Sequence, residues 1–289
     1  MIGQTTIRRD LGIFIGKDTF PRFSIITGMK GSGKKTLIKE FICPQLKELD
    51  IGKYTVPDVK IESIRDMIHL AYKLSDMLFI IPDADTMSNG AKNALLKVVE
   101  EPPRNNYFIM TLEDINNTLS TIHSRAQVFS MDLYTKDELR QYYISRPAIN
   151  MDEMDLCVEI ADTPWDISTL IAMEPTTFYE YTQLVVDNIC KTSGANSFKI
   201  ADKVAIKDIS EGYDLRLFWK AFIRECNDRA CGYFENKEDS KGMEYLFRSR
   251  ETSRTLSKLN IKGINRQMLF DRWILSIREL SYEFASIEE

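Results

Sequence analysis

"FSIIT" (23–27) runs directly into "GMKGSGKKT" (28–36), and this junction decides the fold of the chain. The first stretch is a short β-branched strand signal, and "TLIKEFICPQLKEL" (36–49) beyond the turn has helical spacing. Strand, glycine-rich turn and helix in that order form the context of a phosphate-binding loop. Its backbone N–H groups cradle phosphates at a helix N-terminus, and its lysine neutralises them. Gly28, Gly33 and Lys34 fill the fixed positions of G-x-x-x-x-G-K-[ST], with Gly31 and Ser32 between them. The next position needs a hydroxyl to hold Mg²⁺, and it carries Lys35. Thr36 does not restore that hydroxyl, because one residue along a helix turns a side chain by about 100°. A cation at Lys35 repels Mg²⁺.

Working outward, "IESIRDMIHLAYKL" (61–74) reads as an amphipathic helix and "MLFIIP" (77–82) as a buried parallel strand stopped by proline. "SNGAKNALLKVVEEPP" (88–103) has an apolar helical stripe of Ala91, Ala94, Leu95 and Val98. "YFIMTL" (107–112) and "AQVFSM" (126–131) are two further strands. Strands alternating with helices predict an α/β domain with a parallel sheet over residues 1–133. The pattern changes at Tyr134, where Thr135 and Glu138 have capping-box spacing. Short helices are expected at 135–145, 152–162 and 164–173, giving a small helical part over 134–175. Longer helices at 177–191, 196–206, 213–234, 240–258 and 265–284 make 176–289 an all-α region.

At the end of the 77–82 strand, a working nucleotide hydrolase places an Asp-Glu pair, the aspartate for the Mg²⁺ shell and the glutamate for the attacking water. "FIIPDADTM" (79–87) has Pro82 and Asp83 there. Proline ligates nothing, and the plain reading is that Pro82 ends the strand while Asp83 caps the following turn. Both departures weaken the same metal site.

Composition is that of an ordinary globular protein: 289 residues, 44% hydrophobic and 28% charged, with room for two or three domains. A net charge of −5 gives no global reason to expect nucleic-acid binding. The N-terminal segment is locally basic, with Arg8, Arg9, Lys17, Arg22, Lys30, Lys34, Lys35 and Lys39 against Asp10, Asp18 and Glu40. That is either a phosphate-facing surface or a solvated face. Cys43, Cys157, Cys190, Cys226 and Cys231 form no C-x-x-C pair, so no zinc knuckle or disulfide framework is expected. No stretch has the length of a signal peptide or membrane span, and a cytoplasmic protein is expected.

Several stretches carry a family resemblance. "IGQ" (2–4), "GMKGSGKKTL" (28–37), "PD" (57–58), "IESIR" (61–65), "IIPDADTMSNGAKNALLKVVEEPP" (80–103) and "TIHSRAQVF" (121–129) stand in the order and spacing of bacterial clamp-loader ATPases. The chain resembles most closely the delta-prime subunits of the DNA polymerase III clamp loader, over residues 1 to about 133. "NRQMLFDRWILSIREL" (265–280) is weakly similar to the end of the family's last helix. The resemblance implies a AAA+ nucleotide-binding domain at 1–133, a helical lid at 134–175, and a helical collar at 176–289. Such a collar holds five subunits together. It implies partners: ATPase subunits and a clamp-opening subunit in a hetero-oligomer, a sliding clamp, and primer-template DNA in the assembled complex. No membrane partner is expected.

"TIHSRA" (121–126) keeps the Ser-Arg of the family's Ser-Arg-Cys motif, with Ala126 for the cysteine. The resemblance implies that Arg125 is an arginine finger reaching a neighbour's ATP site; left to itself it reads as a surface or ion-paired arginine. Trp165 stands where the family's second sensor arginine is expected, and Leu112 where the first sensor is polar. The family's four-cysteine zinc module has no counterpart here, and the residues that usually grip adenine before "IGQ" do not precede it.

The expected function is that of a clamp-loader stator without its own ATPase. It would donate Arg125 to a neighbour and help load a sliding clamp. The degenerate pocket of Gly28, Gly31, Ser32, Gly33, Lys34, Lys35, Thr36 and Asp83 leaves ATP or ADP binding open, with no cofactor required, no zinc and no Mg²⁺-dependent hydrolysis. The alternative is a working AAA+ ATPase whose Thr36 and Asp83 have taken over metal duties. Lys92, Lys97 and Arg104 are either DNA-facing or solvated. His69 and His123 read as structural, Trp219 and Trp273 as packing residues.

Overall fold

A computed structural model describes residues 2–17, 19–146, 150–190, 214–259, 261 and 264–285. The helix expected at 196–206 lies outside the described residues. The chain forms two compact units, Met1–Arg146 with Asp162–Trp165, and Pro147–Ala161 with Asp166–Glu289.

The first unit is built on five strands: β1 (Phe23–Thr27), β2 (Gly52–Thr55), β3 (Met77–Ile81), β4 (Tyr107–Leu112) and β5 (Gln127–Ser130). All pairs are parallel, in the order β2-β3-β4-β1-β5. Alternation along the strands sorts the core into two layers. Phe23, Ile25, Phe79, Ile81, Phe108, Met110 and Leu112 pack on one face against α4 (Ile61–Lys73) and α5 (Asn89–Glu100). Ile26, Leu78, Ile80, Tyr107 and Ile109 pack on the other against α1 (Thr5–Gly16) and the helix that follows the glycine loop. Phe108 stacks between Phe23 and Phe79, with ring centroids 6.0 and 5.1 Å away. Burial of each such ring contributes roughly 1.5–3 kcal/mol.

The helix after the loop is irregular. α2 (Lys34–Leu37) passes through a π-helical turn (Ile38–Ile42) into α3 (Cys43–Lys47). Pro44 has no N–H for the carbonyl one turn back and its ring crowds that carbonyl, so the helix widens just before it. After β4, α6 (Ser120–His123) leads to β5, and α7 (Lys136–Ile144) closes the unit. The capping box expected there is formed: the Glu138 N–H donates to Thr135 Oγ1 at 3.2 Å, and the Thr135 N–H to Glu138 Oε2 at 2.8 Å.

The second unit contains α8 (Met154–Ile160), most of α9 (Pro164–Ala172), α10 (Pro175–Asn188), α11 (Leu215–Glu235), α12 (Asp239–Leu256) and α13 (Arg266–Ala285). Asp214 caps α11 by accepting from the N–H groups of Arg216 and Leu217. Phe218, Trp219, Phe222, Phe270 and Trp273 form its aromatic centre, with Trp273 edge-on to Phe222 at 4.9 Å. Both tryptophans are therefore packing residues, as their place on long helices predicts, and Trp273 Nε1 donates to Thr252 Oγ1 at 2.9 Å. Two buried carboxylates are neutralised in place. Asp166, wholly buried, is gripped by both terminal nitrogens of Arg216. Glu225 accepts from Arg229 at 2.6 Å, Tyr179 at 2.8 Å and Gln183 at 3.1 Å.

Candidate functional site

β1 sits between β4 and β5, so its C-terminal end delivers the glycine loop into the row of ends that includes β3 and β4. The chain must turn sharply there and pass close to its surroundings. A Cβ on Gly28 would lie 2.7 Å from the Cβ of Met131. Gly31 has φ +78°, and a Cβ there would lie 2.2 Å from Trp165 Cβ and 2.9 Å from Thr163 Oγ1. Only glycine serves at either place. Gly33 begins the helix.

Lys34 is buried, and its ammonium donates to the loop's own carbonyls, Gly28 O at 2.6 Å and Met29 O at 2.9 Å. Burial holds its pKa below the ordinary lysine value, while Glu113, Asp85 and Asp83 pull it back up and Lys35 adds to the lowering. The Tyr134 hydroxyl donates to the Ser32 carbonyl at 2.8 Å, tying the loop to the chain after β5. Burial pushes that hydroxyl's pKa up. Gln4 completes the frame: its side-chain amide donates to Asp132 O and accepts from the Asp132 N–H, both at 2.8 Å.

The strand end opposite is where the metal site would be. Lys35 Nζ lies 2.5 Å from Asp83 Oδ2, both side chains about two-thirds exposed. β3 ends at Ile81, just before Pro82, as expected. The capping role expected of Asp83 is not formed. Asp83 has φ +51° and makes no side-chain cap bond, because its carboxylate faces Lys35. Its N–H instead donates to Thr111 Oγ1 at 2.9 Å. Thr36 lies one residue further round the helix and is half-buried.

Thr111 and Asp85 are contributions that the sequence reading missed. Leu112, at the expected sensor position, is fully buried in the core, and strand alternation puts the polar Thr111 one residue earlier. Asp85 accepts from the N–H groups of Glu113 at 2.7 Å and Asp114 at 3.2 Å, and from Asn117 Nδ2 at 3.0 Å. It fixes the loop leaving β4. A carboxylate two residues past Asp83, ahead of a polar loop, was the available signal.

Arg125 follows α6 and is half-exposed. Its guanidinium pairs with Glu100 at 3.2 Å and donates to Thr121 O at 3.1 Å and Ser124 Oγ at 3.3 Å. Glu100, at the end of α5, is a partner that sequence spacing does not reveal. Lys92 is buried and donates to the Asn117 carbonyl, which removes it from any DNA-facing surface. Lys97 is exposed over the Tyr72 ring at 5.9 Å, and Arg104 is exposed.

These residues do not fit Mg²⁺. An ammonium occupies the side of the loop where a hydroxyl ligand belongs, and Pro82 offers no oxygen on its side chain. Among the described residues, no group of three or more His, Cys, Asp or Glu is placed to hold a metal ion, and no helix is long and apolar enough to cross a membrane.

Residues 44–134 match the protein-family model described as DNA polymerase III, delta subunit. The chain is 27% identical over 101 residues to DNA polymerase III subunit delta' of Haemophilus influenzae, covering 34% of this chain and 31% of that protein. Over these stretches the chain is similar to subunits of DNA polymerase III. It is also 27% identical over 166 residues to DNA polymerase III subunit gamma of Buchnera aphidicola, covering 53% of this chain and 42% of that protein. It therefore spans less than half the length of either relative. A gamma subunit-related protein from Thermotoga maritima superposes with a TM-score of 0.46 at 18% identity, over 94% of this chain and 98% of that one.

Proposed function

We propose that the protein is a clamp-loader stator of the delta-prime type: it sits beside ATP-hydrolysing subunits, does not hydrolyse ATP itself, and donates Arg125 to a neighbour's site. The observation that carries this reading is the Lys35–Asp83 contact, an ion pair standing where an active loop assembles its metal. With no Mg²⁺ ligand set, the γ-phosphoryl has neither its Lewis acid nor its positioned water. Arg125 supports the second half. Its guanidinium is half-exposed just before the edge strand β5 and tied to Glu100 through a half-exposed contact, so another anion can draw it away.

The three-part organisation belongs to the same proposal: a AAA+ domain at 1–133, a lid at 134–175 and an oligomerising collar at 176–289. Exposed apolar residues on the late helices support the collar. α12 shows Met243 and Leu246, and α13 shows Met268 and Leu275, each pair on one helix face. The partners are then ATPase subunits and a clamp-opening subunit, acting together on a sliding clamp and primed DNA. Native mass spectrometry of the tagged chain purified from its own cells tests this. The expected result is a hetero-oligomer with one copy of this chain beside larger ATP-hydrolysing subunits. A monomer or a homo-oligomer overturns the stator reading.

A further inference from the structure

We propose that the glycine loop binds a polyphosphate anion without a divalent metal, the Lys35 ammonium acting as a cation built into the chain. The inference rests on the non-hydrolysing reading above and names the ligand chemistry of the same site.

The first observation is one of charge. Measured against G-x-x-x-x-G-K-[ST] and an Asp-Glu strand end, Lys35 in place of a hydroxyl residue raises the formal charge by one unit, and Pro82 in place of aspartate raises it by another. Together these two substitutions supply the charge of the divalent ion that an active loop recruits. The second observation is one of place. Lys35 Nζ reaches Asp83 Oδ2 at 2.5 Å, so the charge stands between the loop and the acidic strand end. Both side chains are about two-thirds exposed, and an ammonium has three donors, which leaves Lys35 able to face an arriving anion while keeping Asp83.

The third observation lies inside the loop. Ser32 is 3% exposed and its Oγ has no hydrogen-bond partner. That oxygen lies 3.2 Å from where a Gly28 Cβ would be. Lys34, held on the Gly28 and Met29 carbonyls, is the second donor beside it. The tethered Lys34 ammonium and the exposed Lys35 ammonium on Asp83 make a donor set for phosphate oxygens. The Ser32 hydroxyl is a buried donor that the loop itself leaves unpaired. Together they make a poor set for a metal-bound phosphate, because a dication bridging the phosphates would be driven against Lys35.

The ligand class is a pyrophosphate group, either free or as part of a nucleoside diphosphate. Isothermal titration of the full chain with ADP and with inorganic pyrophosphate, each in EDTA and in excess Mg²⁺, tests the proposal. Binding is expected in EDTA and is expected to weaken severalfold when Mg²⁺ is added. Lys35→Thr should lose about tenfold or more in EDTA, the size of one charge-assisted contact, and should no longer be weakened by Mg²⁺. Asp83→Asn tolerates the left-handed backbone, releases the ammonium, and should bind more tightly in EDTA. Equal affinities for the two probes assign the site to the pyrophosphate group, and tighter ADP binding adds a contact to the nucleoside; both support the proposal. Tightening by Mg²⁺, no binding of either probe at about millimolar concentration, or unchanged affinity in Lys35→Thr overturns it. Absence of binding without ATP turnover would remove this inference alone, whereas Mg²⁺-dependent turnover would remove the non-hydrolysing reading.

Discussion

Arg125→Ala separates a residue that serves a neighbour from one that serves its own fold. Within the chain, Arg125 pairs with Glu100 at 3.2 Å, with 43% and 51% of the two side chains exposed. An ion pair at that exposure contributes about 0–1 kcal/mol, so the alanine variant should unfold within about 1 kcal/mol of the parent. The same small number is what an incoming phosphoryl group must overcome to draw the guanidinium from Glu100. Against it stands the benefit of a finger supplied in trans, roughly 10³–10⁵ in rate at the site it enters. The variant should therefore fold and assemble normally while clamp-stimulated ATP hydrolysis by the complex loses one site's contribution. Arg125→Lys should also be impaired, because an ammonium lacks the planar fork. Glu100→Gln should leave turnover intact or raise it, since it loosens the guanidinium without removing it. The assay is steady-state ATPase and clamp loading by the purified complex, with urea unfolding as the control for stability. If Arg125→Ala assembles and turns over at the parent rate, Arg125 is a surface arginine and the assignment is wrong.

Two further outcomes concern the helical unit. Arg216→Met removes the guanidinium that grips the wholly buried Asp166 carboxylate and should cost about 3 kcal/mol or more in urea unfolding, against which a change within experimental error would show the pair to be incidental. Burial alone would raise the Glu225 carboxyl, but the hydrogen bonds from Arg229, Tyr179 and Gln183 outweigh it and hold the group below its ordinary value of 4.5. Its contribution is thus fully present above that value and is lost as pH falls through the lowered one. Glu225→Gln should be less stable at neutral pH and should lose stability less steeply than the parent below about pH 4.5; parallel curves would contradict this.

The elements that the sequence made legible are those whose periodicity matches one environment. β1, β3 and β4 are buried on both faces and read as apolar runs, and α4 and α5 show one apolar stripe each. β2 escaped notice because "GKYT" is a short edge strand with alternating half-burial and opens with a glycine against Met77. α1 escaped because Gln4 gives it no side-chain cap, although Ile7, Leu11 and Ile15 at every fourth position were the available signal. At the site, the glycine loop and the departures at Lys35 and Pro82 follow from residue identity alone. The Lys35–Asp83 pair, the Trp165 packing on Gly31 and the Glu100 partner of Arg125 depend on distant segments meeting, and no local pattern encodes them.

The stator proposal requires that this chain carry a phosphate-binding loop without hydrolysing nucleotide. The direct measurement is Mg²⁺-dependent ATP turnover by the purified chain, with Lys34→Ala as the control. The account predicts no turnover above background in either protein, because Lys35 and Pro82 stand at the metal positions. Turnover on the order of 1 s⁻¹ that disappears in Lys34→Ala would contradict it.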